Sequence, residues 1–201
     1  MSSAPTAPAV PTAAARHPTR GRPVPLLVVG IVLFLGSELM FFGSLFGMYF
    51  TLRAQNNPGW VPEDIGVDAF RLVFTTILVL SSFTMQHAVS RLQTGDQAGM
   101  RRWIWISFVM GVVFLAGQTY EWTTLPFRIH TDSYGSAFYT MTGFHGLHVL
   151  AGLLLMLVIL GRAVRGAYTP HEHAGVEVAT YYWHFVDVVW VGLFTVLFVV
   201  R

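Results

Sequence analysis

Five long apolar stretches dominate this chain of 201 residues and decide its fold class. A helix needs about 20 apolar residues to cross the roughly 30 Å of membrane hydrocarbon, because each residue adds about 1.5 Å. Stretches of that kind lie at residues 26–50, 72–89, 103–122, 138–160 and 179–200. Their continuous apolar character favours helices over a β-barrel, whose strands alternate apolar and polar residues. The sequence therefore predicts an all-α integral membrane protein, a bundle of five transmembrane helices.

The first 25 residues differ in composition from the rest of the chain. They are mainly Ser, Ala, Pro and Thr with three arginines, and such a segment buries too little apolar surface to fold. We expect a flexible cytoplasmic tail at residues 1–25 and a single five-helix membrane domain at residues 26–201. A cleaved signal peptide is the weaker alternative, because the first apolar run is long and no small-residue cleavage site follows it.

The distribution of arginines predicts which way the helices run. The chain has no lysine, and eight of its arginines fall on one side of the predicted bundle against four on the other. Cytoplasmic segments are enriched in positive residues. We therefore expect the amino terminus in the cytoplasm and the carboxyl terminus outside. Trp103 and Trp105 at one end, with Trp60 and Trp122 at the other, are expected as interfacial anchors.

The composition also excludes several classes of protein. Charged residues make up 11% of the chain and hydrophobic residues 54%, which excludes a disordered chain, a collagen-like fibre and a soluble nucleic-acid binder. Cysteine is absent, so disulfides, iron–sulfur clusters and thiol nucleophiles are excluded too. A metal site would need histidine or carboxylate ligands.

Ionisable and amide side chains occur inside the predicted spans, where each of them costs free energy. A carboxylate at mid-bilayer costs about 2.5–3.5 kcal/mol on insertion scales, so such groups should face protein, a paired group or water. The set comprises Glu38, Gln86, His87, His145, His148, His184 and Asp187, with Glu121 near a helix end.

Depth within the membrane pairs two of these groups. Glu38 lies 12 residues into the first span, about 18 Å from its cytoplasmic end. His148 lies 14 residues before Arg162, about 21 Å from the same side, whereas His145 and Asp187 come out at about 25 and 13 Å. His148 is therefore the best-matched partner for Glu38. The pair is either a proton-exchanging site or a static hydrogen bond between helices, and the sequence leaves both possibilities open.

Two spacings permit a metal site in principle. His145 and His148 are three residues apart and share a helix face, as do His184 and Asp187. This spacing is common, and a neighbouring helix can satisfy each histidine instead. We expect no metal site in this chain.

A stripe of small residues lies on the first span. It contains Gly36, Met40, Gly43 and Gly47, and a Gly-x-x-x-Gly motif of this kind predicts close helix packing. Glu38 points about 200° away from Gly36 around the helix, so the two faces meet different neighbours. We expect another subunit or ordered lipid to cover part of this helix.

Three segments of the chain carry a family resemblance. They are SELMFFGSLFGMYF at residues 37–50, YGSAFYTMTGFHGLHVLAG at residues 134–152 and YYWHFVDVVW at residues 181–190. Together, in this order and spacing, they resemble subunit III of the haem–copper terminal oxidases. The resemblance covers the chain from the first span to the end. Five spans resemble the shorter form of that subunit, which lacks the first two helices of its seven-helix relatives.

The resemblance implies a subunit with no haem or copper of its own, packed directly on catalytic subunit I of a proton-pumping cytochrome c oxidase. Haem and copper would lie in partner subunits, and subunit II and other respiratory subunits would complete the complex. In the family, the subunit supports proton uptake and protects the active site during turnover. A buried reactive carboxylate of the family falls on Glu38, its nearby histidine on His148, and a position associated with phospholipid headgroups on Arg162. The expected location is a bacterial plasma membrane.

Three alternatives stay open. Within the family, the chain would be subunit III of a quinol oxidase, or a related chain from a nitric oxide reductase cluster. The enzyme alternative is a haem or di-metal membrane protein with ligands drawn from Glu38, His145, His148, His184 and Asp187. The third is a small transporter, whose mid-membrane charges would line a path, although the sequence shows no inverted repeat to support it.

Overall fold

The computed structural model of the chain describes residues 26–56, 59–62, 65–170 and 172–200, most of which are helical. The helices are α1 (Leu26–Asn56), α2 (Ala69–Gln93), α3 (Gln97–Thr124), α4 (Ser133–Val164) and α5 (Ala174–Phe194), which continues into a short π-helical segment (Thr195–Val199). All five are long and apolar enough to cross a membrane, and no strand occurs in the described residues. The predicted five-helix fold is confirmed. The predicted tail at residues 1–25 lies outside the described residues, and the orientation of the termini stays a prediction.

Aspartates begin three of the helices. Asp68, Asp96 and Asp132 precede α2, α3 and α4, and each carboxylate accepts a hydrogen bond from the backbone N–H three residues later, at 2.8, 2.7 and 2.6 Å. Such a cap satisfies an N–H group that has no partner within the helix. Gly95 has φ +85°, a left-handed conformation that glycine adopts without a side-chain clash. The chain therefore reverses between α2 and α3 within three residues.

Helix α5 forms the centre of the bundle. It packs on α1, α2 and α4, whereas α3 packs on α2 and α4. The fully buried ring of Trp183 in α5 lies against Gly111 of α3 and Gly152 of α4, where a larger side chain would collide with it. The Trp183 indole N–H donates to Ser81 Oγ of α2 at 2.8 Å. Small residues and one hydrogen bond thus let a single tryptophan join four helices.

Helix α1 lies at the edge of the bundle and packs mainly on α4 and α5. Of its 31 residues, three are buried, namely Phe42, Leu45 and Tyr49. No neighbouring atom lies within 4 Å of the place that a Cβ on Gly36, Gly43 or Gly47 would occupy. The glycine stripe therefore does not pack closely on another helix of the described chain, and this face of α1 is exposed.

The two ends of the bundle carry different residues. The end that holds the α2–α3 and α4–α5 connections, which we call the arginine-rich end, has five arginines: Arg91, Arg101, Arg102, Arg162 and Arg165. The opposite end is rich in aromatic rings. Trp60 is buried there, with its ring centroid 5.6 Å from those of both Tyr49 and Tyr134. The prediction that Trp60 is an interfacial anchor is wrong, because these rings enclose it.

An arginine holds the opposite end together. Arg71 of α2 donates from Nε to the Glu121 carboxylate of α3 at 2.5 Å and from a terminal nitrogen to the Gly66 carbonyl at 2.6 Å. The same terminal nitrogen lies 3.1 Å from the Asp68 carboxylate. The guanidinium carbon also lies 4.8 Å from the ring centre of Phe198, in the π-helical segment. This cation therefore links α2, α3 and the end of the fifth span.

Candidate functional site

Glu38 of α1 and His148 of α4 meet inside the membrane-spanning region. Glu38 Oε2 and His148 Nε2 are 3.0 Å apart. The two side chains are 20% and 17% exposed, so most of each is shielded. Glu38 lies 12 residues from the start of α1, and His148 lies 16 residues from the end of α4, about 18 and 24 Å from the arginine-rich end. The structure brings together the two residues that depth arithmetic paired.

The second ring nitrogen of His148 limits how the pair shares protons. His148 Nδ1 lies 2.7 Å from the backbone carbonyl oxygen of Phe144. A carbonyl only accepts, so Nδ1 carries a proton and donates it. His148 Nε2 then either accepts from a protonated Glu38 or, in an imidazolium, donates to the carboxylate. In both states one proton lies between the two side chains and the pair carries no net charge, which suits a site of low dielectric constant.

Aromatic rings and a tyrosine surround this pair. The ring of Phe42 meets the His148 ring edge-on with centroids 4.9 Å apart, and the Phe41 ring lies 6.3 Å away. The hydroxyl of Tyr182 in α5 donates to the His148 backbone carbonyl at 3.0 Å. These rings displace water, and hydrogen bonds are stronger in such surroundings than in water.

A second group of polar side chains joins α2 to α5. Ser82 Oγ donates to Asp187 Oδ2, and His184 Nδ1 lies 2.9 Å from the same Ser82 oxygen. Because the serine proton points toward Asp187, His184 Nδ1 is the donor to Ser82. His184 Nε2 lies 3.4 Å from the side-chain oxygen of Gln86. We call these four residues the α2–α5 polar cluster.

Sequence reasoning missed Ser82 and Arg71. Serine is inexpensive inside a membrane helix, so Ser82 gave no signal by itself, although it lies four residues before Gln86 and shares its helix face. Arg71 lies just outside the predicted span, where a charge needs no partner, yet it pairs with Glu121. Ser82 and Gln86 share one face of α2, and His184 and Asp187 share one face of α5. Pairing these two polar faces would have predicted the cluster.

The remaining predicted histidines have other surroundings. His145 is fully buried and stacks on Trp190 with ring centroids 4.8 Å apart, and neither of its ring nitrogens has a hydrogen-bond partner among the described residues. His87 is exposed and meets the Trp103 ring at 4.7 Å. Across the part of the chain that the structure describes, no three histidine, aspartate or glutamate side chains form a group that could hold a metal ion.

Arg162 lines a groove at the arginine-rich end. This groove has a volume of about 500 Å³, and the Arg162 guanidinium carbon lies 5.7 Å from the ring centre of Tyr168. Burial raises the pKa of the Tyr168 hydroxyl and Arg162 lowers it by less, so the tyrosine stays a neutral donor. A second groove of about 530 Å³ shares Leu27 and Val178 with the first and is otherwise lined by Leu26, Gly30, Ile31 and Phe34. Arg162 shares the first groove with Glu172, so an anionic headgroup there would have to bind on the Arg162 side, and the apolar walls of the two grooves suit an acyl chain.

Comparison with known families identifies the chain's relatives. The sequence model of the family described as cytochrome c oxidase subunit III matches residues 22–200. The chain belongs to the cytochrome c oxidase subunit III family. The three sequence segments that resemble subunit III all contribute to the polar sites of this fold. The Glu38–His148 contact joins residues 37–50 to residues 134–152, and the α2–α5 polar cluster includes two residues of segment 181–190.

Individual relatives agree with the family assignment. The chain is 46% identical over 180 residues to a protein of Nocardia farcinica named probable cytochrome c oxidase subunit 3, which covers 88% of this chain and 89% of that protein. It is 45% identical over 174 residues to cytochrome c oxidase subunit 3 of Thermostichus vulcanus, with 86% of each chain covered. It is also 43% identical over 180 residues to the probable subunit 3 of Mycobacterium tuberculosis, with 88% and 89% covered.

Proposed function

We propose that this chain is the non-redox subunit III of a proton-pumping cytochrome c oxidase in a bacterial plasma membrane. It packs directly on catalytic subunit I, and the haem and copper of the complex lie in partner subunits. Its own contribution is to support proton uptake and to protect the active site during aerobic electron transport. Family membership and five apolar helices support this proposal, and the relatives' names favour the cytochrome c branch over the quinol branch.

The Glu38–His148 contact is the observation that carries the proposal. It joins two ionisable side chains of different helices at a depth where an ionisable group is expensive. A neutral amide or hydroxyl would make a static hydrogen bond at lower cost than the roughly 2.5–3.5 kcal/mol of a mid-bilayer carboxylate. Both side chains keep about a fifth of their surface exposed at the surface of the bundle, so the pair can contact a partner subunit there. These features favour proton exchange over packing alone.

Replacing Glu38 by glutamine separates proton exchange from packing. The glutamine N–H can donate to His148 Nε2, so the shape and the hydrogen bond are kept while the exchangeable proton is lost. We expect both Glu38→Gln and Glu38→Ala to impair proton uptake or to hasten inactivation during turnover, with oxygen reduction at high pH largely intact. The measurements are protons taken up per electron across pH and the number of turnovers before inactivation.

A second glutamate–histidine pair supplies the matched control. His173 Nε2 and Glu177 Oε1 lie 3.1 Å apart at the start of α5, at the end of a span. Glu177→Gln should leave both measurements unchanged. If Glu38→Gln behaves as the unmodified protein while Glu38→Ala is impaired, then Glu38 is a packing residue. Normal behaviour of both Glu38 variants would remove any role for this carboxyl.

Phospholipid binding at Arg162 is the second part of the proposed function. The two adjoining grooves offer a cation, a neutral tyrosine hydroxyl and apolar walls along α1 and α5. We expect Arg162→Gln to reduce the anionic phospholipid retained by the purified complex, as measured by mass spectrometry. Arg165→Gln is the control, because Arg165 is exposed one turn away and does not line the groove. Equal lipid content in the two variants would contradict the headgroup assignment.

A further inference from the structure

The α2–α5 polar cluster opens onto a groove in the surface of the bundle. The groove has a volume of about 560 Å³. Its apolar walls are Val79, Phe83, Val188 and Val191, and its polar residues are the four members of the cluster. Val188 is 70% exposed and Phe83 is 68% exposed. No described part of the chain covers this groove.

Hydrogen-bonding capacity is left over in this groove. Asp187 is 5% exposed and its Oδ2 accepts from Ser82, whereas its Oδ1 has no hydrogen-bond partner in the described residues and is itself buried beneath the groove surface. Gln86 is exposed, and the contact of its amide oxygen with His184 is a long one, at 3.4 Å. A buried polar group without a partner is unfavourable, and hydrocarbon offers it none. The cluster is therefore incomplete within this chain.

The depth of the cluster decides what can complete it. Asp187 lies 13 residues into α5, about 20 Å from the arginine-rich end, which is near the middle of the hydrocarbon. Gln86 lies seven residues before the end of α2, about 10 Å from the same end. Lipid headgroups do not reach the level of Asp187, and acyl chains carry no hydrogen-bonding groups. A transmembrane helix with a polar side chain can cover the apolar walls and at the same time hydrogen-bond the exposed Gln86 amide of the cluster.

We propose that this groove is the docking surface for a transmembrane helix of another oxidase subunit, which places an N–H or O–H donor against the α2–α5 polar cluster. The inference rests on the proposed function, because only the assembled complex supplies such a helix. Val188 and Phe83 provide the contact area, and the polar cluster sets the register of the incoming helix. Gln86 meets the partner at the mouth of the groove, and Asp187 lies behind it.

Photo-crosslinking in the assembled oxidase tests this docking surface. A diazirine-bearing amino acid replaces Val188, and the same amino acid replaces Val109 as the control. Val109 is 54% exposed and lies 12 residues into α3, about 18 Å from the arginine-rich end, so the two probes sit at similar depth. We expect the probe at position 188 to crosslink to a polar-residue-bearing span of another subunit, and the probe at position 109 to give mainly lipid adducts.

Three results would overturn the inference: lipid adducts alone at position 188, a crosslink there to a second copy of this chain, or the same products from both positions. In each case the chain would still copurify with a haem- and copper-bearing partner, so the proposed function would stand. Failure to copurify with such a partner refutes the proposed function itself. A probe at position 83 repeats the measurement if the position-188 variant is not incorporated.

Two neighbouring substitutions test the hydrogen bond separately from the contact. Gln86→Leu removes the exposed amide of the cluster, and His87→Leu removes an exposed polar group that does not line the groove. We expect Gln86→Leu to reduce retention of this subunit in detergent-washed oxidase by about three- to tenfold, the effect of one interhelical hydrogen bond. His87→Leu should leave retention unchanged. Equal retention of the two variants would contradict the proposed polar contact.

Discussion

Removal of Glu121 measures how much one ion pair contributes to the end of the bundle opposite the arginines. The side chains of Arg71 and Glu121 are 10% and 9% exposed, and Arg71 Nε lies 2.5 Å from Glu121 Oε1. Removing one partner of a buried pair costs about 3–5 kcal/mol, because an unpaired charge stays buried. Asp68 remains 3.1 Å from the guanidinium. We therefore expect Glu121→Leu to cost about 3 kcal/mol, at the lower end of that range.

The assay is the thermal unfolding midpoint of this subunit in the purified oxidase. For a chain of about 200 residues, 1 kcal/mol shifts the midpoint by about 2–4 °C, so Glu121→Leu should lower it by about 6–12 °C. Glu121→Gln keeps an acceptor for Arg71 and loses only the charge, so its effect should be smaller, about 1–2 kcal/mol.

A double replacement isolates the pairing energy. Arg71→Met combined with Glu121→Leu leaves neither charge buried, and we expect it to recover most of the stability lost in the single Glu121→Leu variant. A double variant whose loss equals the sum of the two single losses would show that the side chains are not coupled, and would refute the reasoning.

Two further predictions concern packing on α4 and are checked by the same midpoint. Gly152→Ala places a methyl 2.7 Å from ring atoms of Trp183, so it should lower the free energy of unfolding by about 1–3 kcal/mol. Gly161 lies on the same helix with no atom within 4 Å of an added Cβ, so Gly161→Ala should raise the free energy of unfolding by about 0.5–1 kcal/mol. Equal effects of the two variants would contradict the close approach of Gly152 to Trp183. His145→Leu removes a buried ring that makes no hydrogen bond in the described residues but stacks on Trp190, so it should cost no more than the roughly 0.5–1.5 kcal/mol of one aromatic pair. A loss of more than about 2 kcal/mol would reveal a polar partner for this ring.

The helices and the Glu38–His148 contact could be predicted from the sequence because each depends on one simple quantity. Apolar length alone determines which segments cross a membrane. Depth along a helix follows from residue count, and the predicted span ends gave Glu38 and His148 the closest depths among the candidates. The observed start of α5 at Ala174 moves Asp187 to about 20 Å, at least as close to Glu38 as His148 is, so depth narrows the choice of partner and the helix arrangement decides it. The aspartates that begin α2, α3 and α4 are likewise local signals, since each caps its own helix.

The remaining features depend on which helix faces which, and no local signal carries that information. Trp60 has the residue type and the position of an interfacial anchor. It is buried only because Tyr49 and Tyr134, from helices distant in the sequence, pack against its ring. The α2–α5 polar cluster depends on Ser82, whose hydroxyl is unremarkable until Asp187 lies beside it. Helix neighbours therefore decide which polar residues form sites, whereas composition decides only that a bundle forms.

The marginal position of α1 has a practical consequence for anyone who isolates this protein. Only three of its side chains are buried, and its polar links to the rest of the bundle include the hydrogen bond from the Tyr49 hydroxyl to the Val196 carbonyl at 3.2 Å and the Glu38–His148 contact. We expect extensive removal of lipid to detach α1 before the other helices. This detachment would break the contact between the Glu38 carboxyl and the His148 imidazole. A purified complex can then keep its absorption spectrum and all of its subunits although Glu38 has already lost its contact with His148.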